Sequence, residues 1–256
     1  MTQPVQREGL RLDKLSTIFV IVLCVLASAW IARDLAYGGR PTRVTNTARS
    51  AQAPTRPPAR PPLPLPTQPV SIDDAVLKGS ASAKVALIIY SDFECPYCGR
   101  FAIDTWPALD GKYVAAGKVR TAFRHLPLES IHASALVAAE AADCAGQQGQ
   151  FWPMHDLLFR NQKQLGQVHL PGYAQQIRLN AGAFDTCLRA ATPAKARADA
   201  ATGAALGITG TPSFLIGLVQ ADGRVRVTER LSGARPLSDF ETALGKVLAA
   251  SESGTK

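Results

Sequence analysis

The stretch of residues 85–98 constrains the fold of this chain more than any other. Residues 85–90 form an apolar run that has the length of one buried strand and is too short for a helix that crosses a core. After a polar turn, Cys95 and Cys98 stand three positions apart, and Pro96 follows the first of them. Proline is tolerated in the first turn of a helix, because the N–H that it lacks would be unpaired there. The pattern therefore predicts a central strand followed by a helix that begins at Cys95, with Cys98 one turn inside it.

This placement of Cys95 and Cys98 predicts a redox centre. The N-terminus of a helix has partial positive charge and unpaired N–H groups, which stabilise a thiolate. The pKa of a free cysteine, about 8.5, can fall to roughly 3.5–7.5 in such a motif, and the thiolate is the reactive form. Half of a zinc site and an inert disulfide are the alternative interpretations. Zinc takes four ligands, however, and the chain has no second C-x-x-C and no closely spaced histidine pair, so we expect no metal.

The charge of the chain is concentrated towards its N-terminus. The 256 residues have a formal net charge of +8, and residues 1–70 hold nine Lys and Arg against three Asp and Glu. There is no basic stripe interleaved with aromatic residues, so nothing in the sequence supports nucleic-acid binding. A chain of this length can form one large domain or two small ones.

Residues 1–37 are predicted to be a short tail and a membrane anchor. Residues 15–32 are 18 consecutive uncharged residues rich in Ile, Val and Leu, which reaches the lower length limit of a transmembrane helix. A cleaved signal peptide is the alternative, because residues 27–29 have the small-x-small form of a cleavage site. In either case the C-terminal part of the chain is expected outside the cytoplasm, in the periplasm or at the exterior of the cell envelope.

Residues 38–70 are predicted to be a linker. They hold nine prolines interspersed with arginines, and their apolar content is too low for a core. Such a segment favours extended polyproline geometry and acts as a semi-rigid spacer. We expect it to hold the following domain away from the membrane.

Residues 71–127 and 207–251 are predicted to form one α/β domain. Residues 118–126 alternate between apolar and polar side chains, as in a strand, and complete a strand–helix–strand unit with the redox stretch. The C-terminal part adds a hairpin and a last helix, over residues 212–216, 225–231 and 237–250.

Residues 128–206 are predicted to be an inserted helical domain. They contain no strand-like run, only apolar residues at helical spacing, interrupted by helix breaks. The pattern predicts five helices, around residues 133–144, 151–159, 173–179, 184–188 and 194–206.

Three motifs, in their order along the chain, resemble those of the DsbA-like thiol:disulfide oxidoreductases. They are Ser-Asp-Phe-Glu-Cys-Pro-Tyr-Cys at 91–98, Gly-Gln-Phe-Trp at 149–152 with His-Asp-Leu-Leu-Phe at 155–159, and Gly-Ile-Thr-Gly-Thr-Pro-Ser-Phe at 207–214. The resemblance implies a thioredoxin fold with an inserted helical domain, and no cofactor is expected. It further implies that Cys95 is the attacking cysteine and that Cys98 is its resolving partner.

The resemblance also assigns roles to residues around the cysteines. It implies that the Thr211–Pro212 bond is cis and forms a ledge that docks the substrate backbone, although only about 5–6% of X–Pro bonds are cis in general. Pro96 and Tyr97 would shape what docks there. This Pro-Tyr dipeptide is that of glutaredoxins, whereas the strongest oxidants of the family have Pro-His.

Cys144 and Cys187 lie on separate predicted helices of the insert. Free buried thiols are one interpretation. An exported chain favours pairing, and family members that resemble this chain can have such an extra bridge, so we expect a structural disulfide. Of the histidines, His125 is expected to be a weak pKa modulator near the site, and His155 to be a core or capping histidine rather than a ligand or base.

Together with the uncharged run at residues 15–32, the resemblance predicts a membrane-tethered, extracytoplasmic enzyme that uses Cys95 and Cys98 to oxidise the thiols of unfolded or thiol-containing exported proteins. It also implies a quinone-coupled membrane partner that reoxidises the pair. Two alternatives stay open. One is a reductase or isomerase that a membrane electron donor keeps reduced, which the Pro-Tyr dipeptide favours. The other is a tethered chaperone or binding module that makes little use of its thiols.

Overall fold

The structure, a computed structural model, describes residues 64–253. The predicted membrane anchor at residues 15–32 and most of the predicted linker lie outside the described residues. Within residues 64–253, no helix combines the length and the apolar character that a bilayer crossing requires.

A five-stranded mixed sheet forms the centre of the described part of the chain. Its strands are β1 Val76–Lys78, β2 Val85–Ser91, β3 Val119–His125, β4 Ser213–Val219 and β5 Val225–Ser232. They lie in the order β1-β3-β2-β4-β5, with β2 parallel to β3 and antiparallel to β4. Every residue of β2 is buried, as expected for an apolar strand that is covered on both faces.

The pairing of β2 with β4 brings two distant parts of the sequence together at the same end of these neighbouring strands. Tyr90, near the end of β2, lies opposite Ser213, the first residue of β4. Because the two strands are antiparallel, the segment that leaves β2 towards Cys95 lies beside the segment that enters β4 from Thr211.

The sheet also includes Val70, the last residue of the predicted linker. Its backbone N–H and C=O each form a 2.8 Å hydrogen bond with Val225 of β5, and its side chain is buried. The chain is therefore paired with the edge strand β5 at Val70, where the proline-rich segment ends.

A long helical segment follows β2 and changes its hydrogen-bond pattern along its length. It consists of α1 Pro96–Arg100, the π-helical turn π1 Phe101–Thr105, α2 Trp106–Leu109 and a second π-helical turn, π2 Asp110–Val114. Pro107 has no N–H to donate to the carbonyl four positions before it. The helix widens directly before this proline, where the N–H of Trp106 donates to the carbonyl of Phe101, five positions back.

Five helices lie between β3 and β4 in residues 126–212, all of which the structure describes. They are α3 Ala135–Gly146, α4 Phe151–Arg160, α5 Leu170–Gln176, α6 Ala181–Ala190 and α7 Ala194–Ala205. A last helix, α8 Leu237–Ser253, packs on β4. The predicted thioredoxin fold with a helical insertion is confirmed.

Side chains of the sheet alternate between two apolar clusters, one on each face. Leu87 and Ile89 of β2 belong to the larger cluster, and Ile88 and Tyr90 belong to the smaller one. The larger cluster contains a set of aromatic rings: Phe93, Phe101, Phe123, Phe151, Phe159, Phe214 and Phe240. These rings fill the space between the sheet and the helices on the face that also holds both cysteines of the redox motif.

A buried ion pair joins the sheet to the helical insert. Nη1 of Arg124, on β3, lies 2.5 Å from Oδ1 of Asp199, on α7. The second carboxylate oxygen, Oδ2, accepts hydrogen bonds from the backbone N–H of His125 at 3.1 Å and from Nζ of Lys195 at 2.9 Å. Each oxygen of this buried carboxylate therefore has a partner, which offsets the cost of removing the charge from water.

A disulfide joins Cys144 on α3 to Cys187 on α6, with the two sulfur atoms 2.01 Å apart. It links two helices of the insert whose cysteines are 43 positions apart in the sequence. In the described part of the chain, Cys95 and Cys98 are the cysteines that remain as free thiols.

Candidate active site

The two free cysteines lie where the central strand gives way to the helix. Cys95 is the N-cap residue of α1, with extended backbone angles (φ −68°, ψ 121°), and Pro96 occupies the first helical position. Cys98 lies one turn inside, and the N–H of Gly99 donates to the carbonyl of Cys95 at 3.0 Å. The backbone N–H groups of the first turn have no partner within the helix, so the partial positive charge of the helix N-terminus lies at Cys95.

The surface around the pair is asymmetric. Cys95 retains 4% of its accessible surface and Cys98 retains none, so a second molecule reaches the pair through Cys95. Tyr97 is 57% exposed beside them, with the guanidinium carbon of Arg100 5.6 Å from its ring centre. The residues between the cysteines thus present an aromatic ring to any partner that approaches.

The segment before β4 forms the opposite wall of the site. The peptide bond between Thr211 and Pro212 is cis, and Pro212 is buried. The carbonyl of Thr211 lies 3.6 Å from Cys95 Sγ and accepts a hydrogen bond from its thiol. The carbonyl of Pro212 is already used, because the N–H of Gly233 donates to it at 2.8 Å.

The surroundings of Cys95 stabilise its thiolate. The largest effect is the hydrogen bond from the Cys98 thiol. Burial opposes it, and the interactions with Thr211 and with the backbone N–H groups of Cys98 and Tyr97 add to it. Together these interactions lower the pKa of Cys95 to about 5. At neutral pH the reduced site therefore holds Cys95 as the thiolate, which is the nucleophilic form.

The surroundings of Cys98 have the opposite effect. Burial raises the pKa of Cys98 well above its ordinary value, and its hydrogen bond to Cys95 and the negative charge of that thiolate raise it further. The pair therefore holds a single negative charge over a wide pH range, with the proton on the inner sulfur. Such a division between an ionised outer and a protonated inner cysteine suits stepwise thiol–disulfide exchange.

Asp92 lies directly behind the cysteines, and its importance was not predicted. Its backbone N–H donates to Cys98 Sγ at 3.4 Å. Its carboxylate accepts hydrogen bonds from the N–H of Glu94 at 2.8 Å, from the N–H of Leu128 at 2.9 Å and from Nδ1 of His132 at 2.7 Å. The sequence signal for Asp92 is a charged residue between a buried strand and a cysteine, whereas His132 has no local signal.

Gln162 is a second residue that the sequence did not reveal. It follows α4, and its side-chain amide donates to the carbonyls of Phe93 at 2.8 Å and of Cys95 at 2.9 Å. Both carbonyls belong to the turn that leads into the redox helix. The helical insert therefore fixes the backbone of this turn through one side chain.

The two histidines considered at the sequence level lie in the aromatic core beside the site. Nε2 of His125 lies 3.0 Å from a carboxylate oxygen of Asp143, and the His125 ring is 6.0 Å from that of Phe93. His155 is buried as predicted, with its ring 5.9 Å from that of Phe93, and burial lowers its pKa. Within residues 64–253, no group of three or more His, Cys, Asp or Glu side chains is arranged to hold a metal ion.

The sequence of this chain is similar to a family model and to parts of longer bacterial proteins. Residues 71–232 match the thioredoxin family model. The Na⁺/H⁺ antiporter NhaA 1 of Salinispora arenicola is 40% identical over 149 residues, which are 58% of this chain and 22% of that protein. NhaA of Herminiimonas arsenicoxydans is 34% identical over 149 residues, which are 58% of this chain and 23% of that protein. This chain therefore matches less than a quarter of the length of these relatives.

Several solved structures have a similar fold, and some of them carry the name DsbA. Alpha-DsbA1 from Wolbachia pipientis is 24% identical with a TM-score of 0.62, over 76% of this chain and 97% of that one. Oxidised BdbD from Bacillus subtilis is 17% identical with a TM-score of 0.61, over 73% of this chain and all of that one. DsbA2 from Pseudomonas aeruginosa is 25% identical with a TM-score of 0.54, over 66% of this chain and 92% of that one. The chain belongs to the thioredoxin family, and its fold is that of the DsbA-type proteins.

Proposed function

We propose that this protein is a thiol:disulfide oxidoreductase that forms disulfides in other proteins. The observation that carries the proposal is the placement of Cys95 and Cys98 at the start of a helix beside Thr211, whose carbonyl lies 3.6 Å from Cys95 Sγ. The sulfur of Cys95 is accessible to a second molecule and that of Cys98 is buried, which is the arrangement that sequential thiol–disulfide exchange uses.

In the first step, a thiolate of the client attacks Cys95 Sγ in the Cys95–Cys98 disulfide. A client–Cys95 disulfide forms as the bond between the two cysteines breaks, and the electron pair of that bond goes to Cys98 Sγ. Attack is directed to Cys95 because Cys98 has no accessible surface. Since the pKa of Cys98 is raised, its sulfur then takes up a proton.

In the second step, another thiolate of the same client attacks the client sulfur of the mixed disulfide. The client disulfide forms, and the electron pair goes to Cys95 Sγ, which departs as a thiolate. Its pKa of about 5 makes it a good leaving group at neutral pH. Two electrons pass from client to enzyme, which ends with Cys95 ionised and Cys98 protonated.

The client docks on the surface around Cys95. An extended client segment would lie along the Thr211–Pro212 peptide, beside the Thr211 carbonyl that faces the reactive sulfur. On the other side, Pro96 and the exposed ring of Tyr97 would contact the client side chains. These contacts are made to the client backbone and through an aromatic ring, not through a pocket that fits one side chain. Such docking suits unfolded or thiol-containing exported proteins as clients.

The direction of electron flow follows from the thiolate. An ionised Cys95 stabilises the reduced enzyme, and a stable reduced enzyme makes the disulfide form a stronger oxidant. We therefore favour oxidation of clients over their reduction. The alternative that the Pro-Tyr dipeptide favours is a reductase or isomerase that a membrane donor keeps reduced. A reductase uses the same two steps in reverse. In an isomerase the Cys95 thiolate opens a client disulfide, and another thiol of the client then displaces Cys95, with no net transfer of electrons.

Repeated oxidation requires an electron acceptor for the reduced pair. We propose that a quinone-coupled membrane protein takes these two electrons and that the domain works outside the cytoplasm. The uncharged residues 15–32 and the Cys144–Cys187 disulfide support this location, because disulfides persist in oxidising compartments.

Single-turnover oxidation of a peptide with two cysteines tests the proposed activity. The oxidised full-length chain should remove two thiols per molecule from the peptide, and Cys95→Ser should remove none. Cys98→Ser, with Cys95 activated as a mixed disulfide, should release the activating thiol and trap a matched peptide with a single cysteine on Cys95. A wild-type chain that binds the peptide and leaves its thiols unchanged would instead indicate a chaperone or binding module.

Thiol trapping in intact cells tests the direction. Acid quenching followed by alkylation should find Cys95 and Cys98 mostly oxidised if the protein is an oxidase. A mostly reduced pair at steady state would support the reductase or isomerase.

A further inference from the structure

The loop between β3 and α3 is held against the turn that precedes the redox helix. Asp92 Oδ2 accepts hydrogen bonds from the N–H of Leu128 at 2.9 Å and from Nδ1 of His132 at 2.7 Å. Two residues further along the loop, the N–H of Ser134 donates to a carboxylate oxygen of Glu94 at 2.6 Å. The imidazole of His132 is thus fixed between two anchor points on the segment that ends at Cys95.

Asp92 also contacts both cysteines through its backbone. Its N–H donates to Cys98 Sγ at 3.4 Å, and its carbonyl accepts from the N–H of Cys95 at 3.2 Å. His132 is therefore separated from the dithiol by one residue, and that residue binds His132 and both cysteines at once. This contact joins the β3–α3 loop to the redox pair.

The carboxylate of Asp92 has no exposed surface, and the side chain of His132 is only 14% exposed. Burial opposes charge on His132 and is the largest single effect, but the hydrogen bond and the charge of Asp92 act against it, and the net result is a raised pKa of the imidazole. The negative charges of Cys95 and Glu94 contribute to this increase. Glu129, on the same loop, is paired instead with Arg197 of α7.

We propose that His132, positioned by Asp92, supplies a positive charge that stabilises the Cys95 thiolate from outside the Cys-x-x-Cys motif. The dipeptide Pro96-Tyr97 has no ionisable cation, and the β3–α3 loop provides one in its place. This inference rests on the proposed function, since it assigns the source of charge for that same reaction. Asp92 is the positioning residue, and His132 acts on the reacting sulfur through space.

The interaction is reciprocal, because coupling between two charged groups is the same in both directions. A Cys95 thiolate favours the imidazolium form of His132, and the uncharged disulfide does not. When the pair is oxidised, the basicity of His132 therefore falls, and within a window of pH the imidazole gives up its proton. Reduction returns the proton to the ring.

The test measures the rate of carbamidomethylation at Cys95 from pH 4 to pH 9 on the reduced full-length chain, with the product identified by peptide mass spectrometry. His132→Asn keeps a donor for Asp92 and removes the charge. We expect it to lower the reactivity of Cys95 at pH 5 by roughly three- to tenfold, through a smaller thiolate fraction. His169→Asn, which changes an exposed histidine at the start of α5, is the matched control and should leave the profile unchanged.

His132→Lys separates charge from structure. The ammonium restores a cation, so we expect Cys95 to regain most of its reactivity at pH 5. A profile that stays lowered in His132→Lys, as in His132→Asn, would mean that the imidazole acts by packing and would overturn the proposal. If His132→Asn has the wild-type profile while the wild type titrates near pH 5, the inference is wrong and the proposed function stands. If the wild-type Cys95 itself titrates as an ordinary thiol, the proposed function is in doubt.

A measurement on the unmodified protein covers the case in which the variants do not fold. NMR titration of the His132 ring should give a higher midpoint in the reduced than in the oxidised chain, with the His169 ring as an internal reference. Equal midpoints for His132 in the two redox states would overturn the proposal.

Discussion

Arg124 and Asp199 form an ion pair in which 5% and 2% of the side-chain surface is exposed. The pair holds helix α7 against β3, the strand that lies beside β2. Removing one partner leaves the other as an uncompensated buried charge. Asp199→Ala should therefore lower the free energy of unfolding by about 3 kcal/mol. Urea denaturation of the full-length chain, followed by circular dichroism, measures the change.

The double variant Arg124→Met, Asp199→Leu is the control for this prediction. It removes both charges together, so it should unfold at a urea concentration closer to the wild type than Asp199→Ala does. Equal losses in the single and double variants would contradict the role assigned to charge.

The reactivity of Cys95 should depend on the hydrogen bond from Cys98. This bond is the largest effect that lowers the pKa of Cys95 to about 5, so Cys98→Ala should raise that pKa and slow alkylation at pH 5 by about tenfold. Cys98→Ser retains a hydroxyl donor, so its Cys95 pKa should lie between those of the wild type and Cys98→Ala. Alkylation rates against pH measure all three, and identical profiles for Cys98→Ala and the wild type would show that other groups stabilise the thiolate.

The stability of the reduced protein should depend on pH through Cys95. Its pKa is about 5 in the folded chain and about 8.5 in an unfolded one, so the folded state binds fewer protons between these values. The stabilisation from the thiolate is complete above pH ~8.5 and is lost as the pH falls through ~5. The difference in unfolding free energy between reduced wild type and reduced Cys95→Ala should therefore grow from pH 5 to pH 8.

The oxidised wild type is the control, since its sulfurs do not ionise. Its unfolding free energy should lack this increase with pH. An increase of the same size in the oxidised chain would assign the pH dependence to other groups.

The Cys144–Cys187 disulfide should stabilise the helical insert. It joins residues 43 positions apart, and the loss of loop-closure entropy in the unfolded chain amounts to at most about 4 kcal/mol. The double variant Cys144→Ala, Cys187→Ala should unfold at a lower urea concentration without a reductant present. Its Cys95 alkylation profile should match the wild type, and a shifted profile would indicate that the insert influences the redox pair.

Patterns of neighbouring residues predict much of this fold. An apolar run before Cys95 predicts a buried strand, and helical spacing in residues 128–206 predicts five helices whose bounds differ from those observed by a few residues. Strand β1, Val76–Lys78, was missed because three residues are too few to show a period. Pro107 signals a disturbed helix, but it does not reveal that the disturbance takes the form of π-helical turns.

Some residues of the candidate site could be predicted from local motifs, and others could not. Cys95, Cys98, Thr211 and Pro212 belong to short motifs and were predicted from them, whereas the contact between Asp92 and His132 was not. That contact depends on how the loop after β3 folds back on the turn after β2, which no local pattern describes. The hydrogen bonds of Gln162 depend likewise on where α4 ends in space.

Gly99, which follows Cys98, has a consequence for the sequences of proteins related to this chain. A methyl group at Gly99 would overlap the amide of Gln162, although the backbone at Gly99 is ordinary helix. Gly99→Ala would therefore push that amide aside and remove its hydrogen bonds to the carbonyls of Phe93 and Cys95. The Cys95 carbonyl would keep only the backbone N–H of residue 99 as a donor. Conservation of this glycine should go together with a long amide side chain at the position of Gln162, and either residue without the other would mark a redox turn that is supported differently.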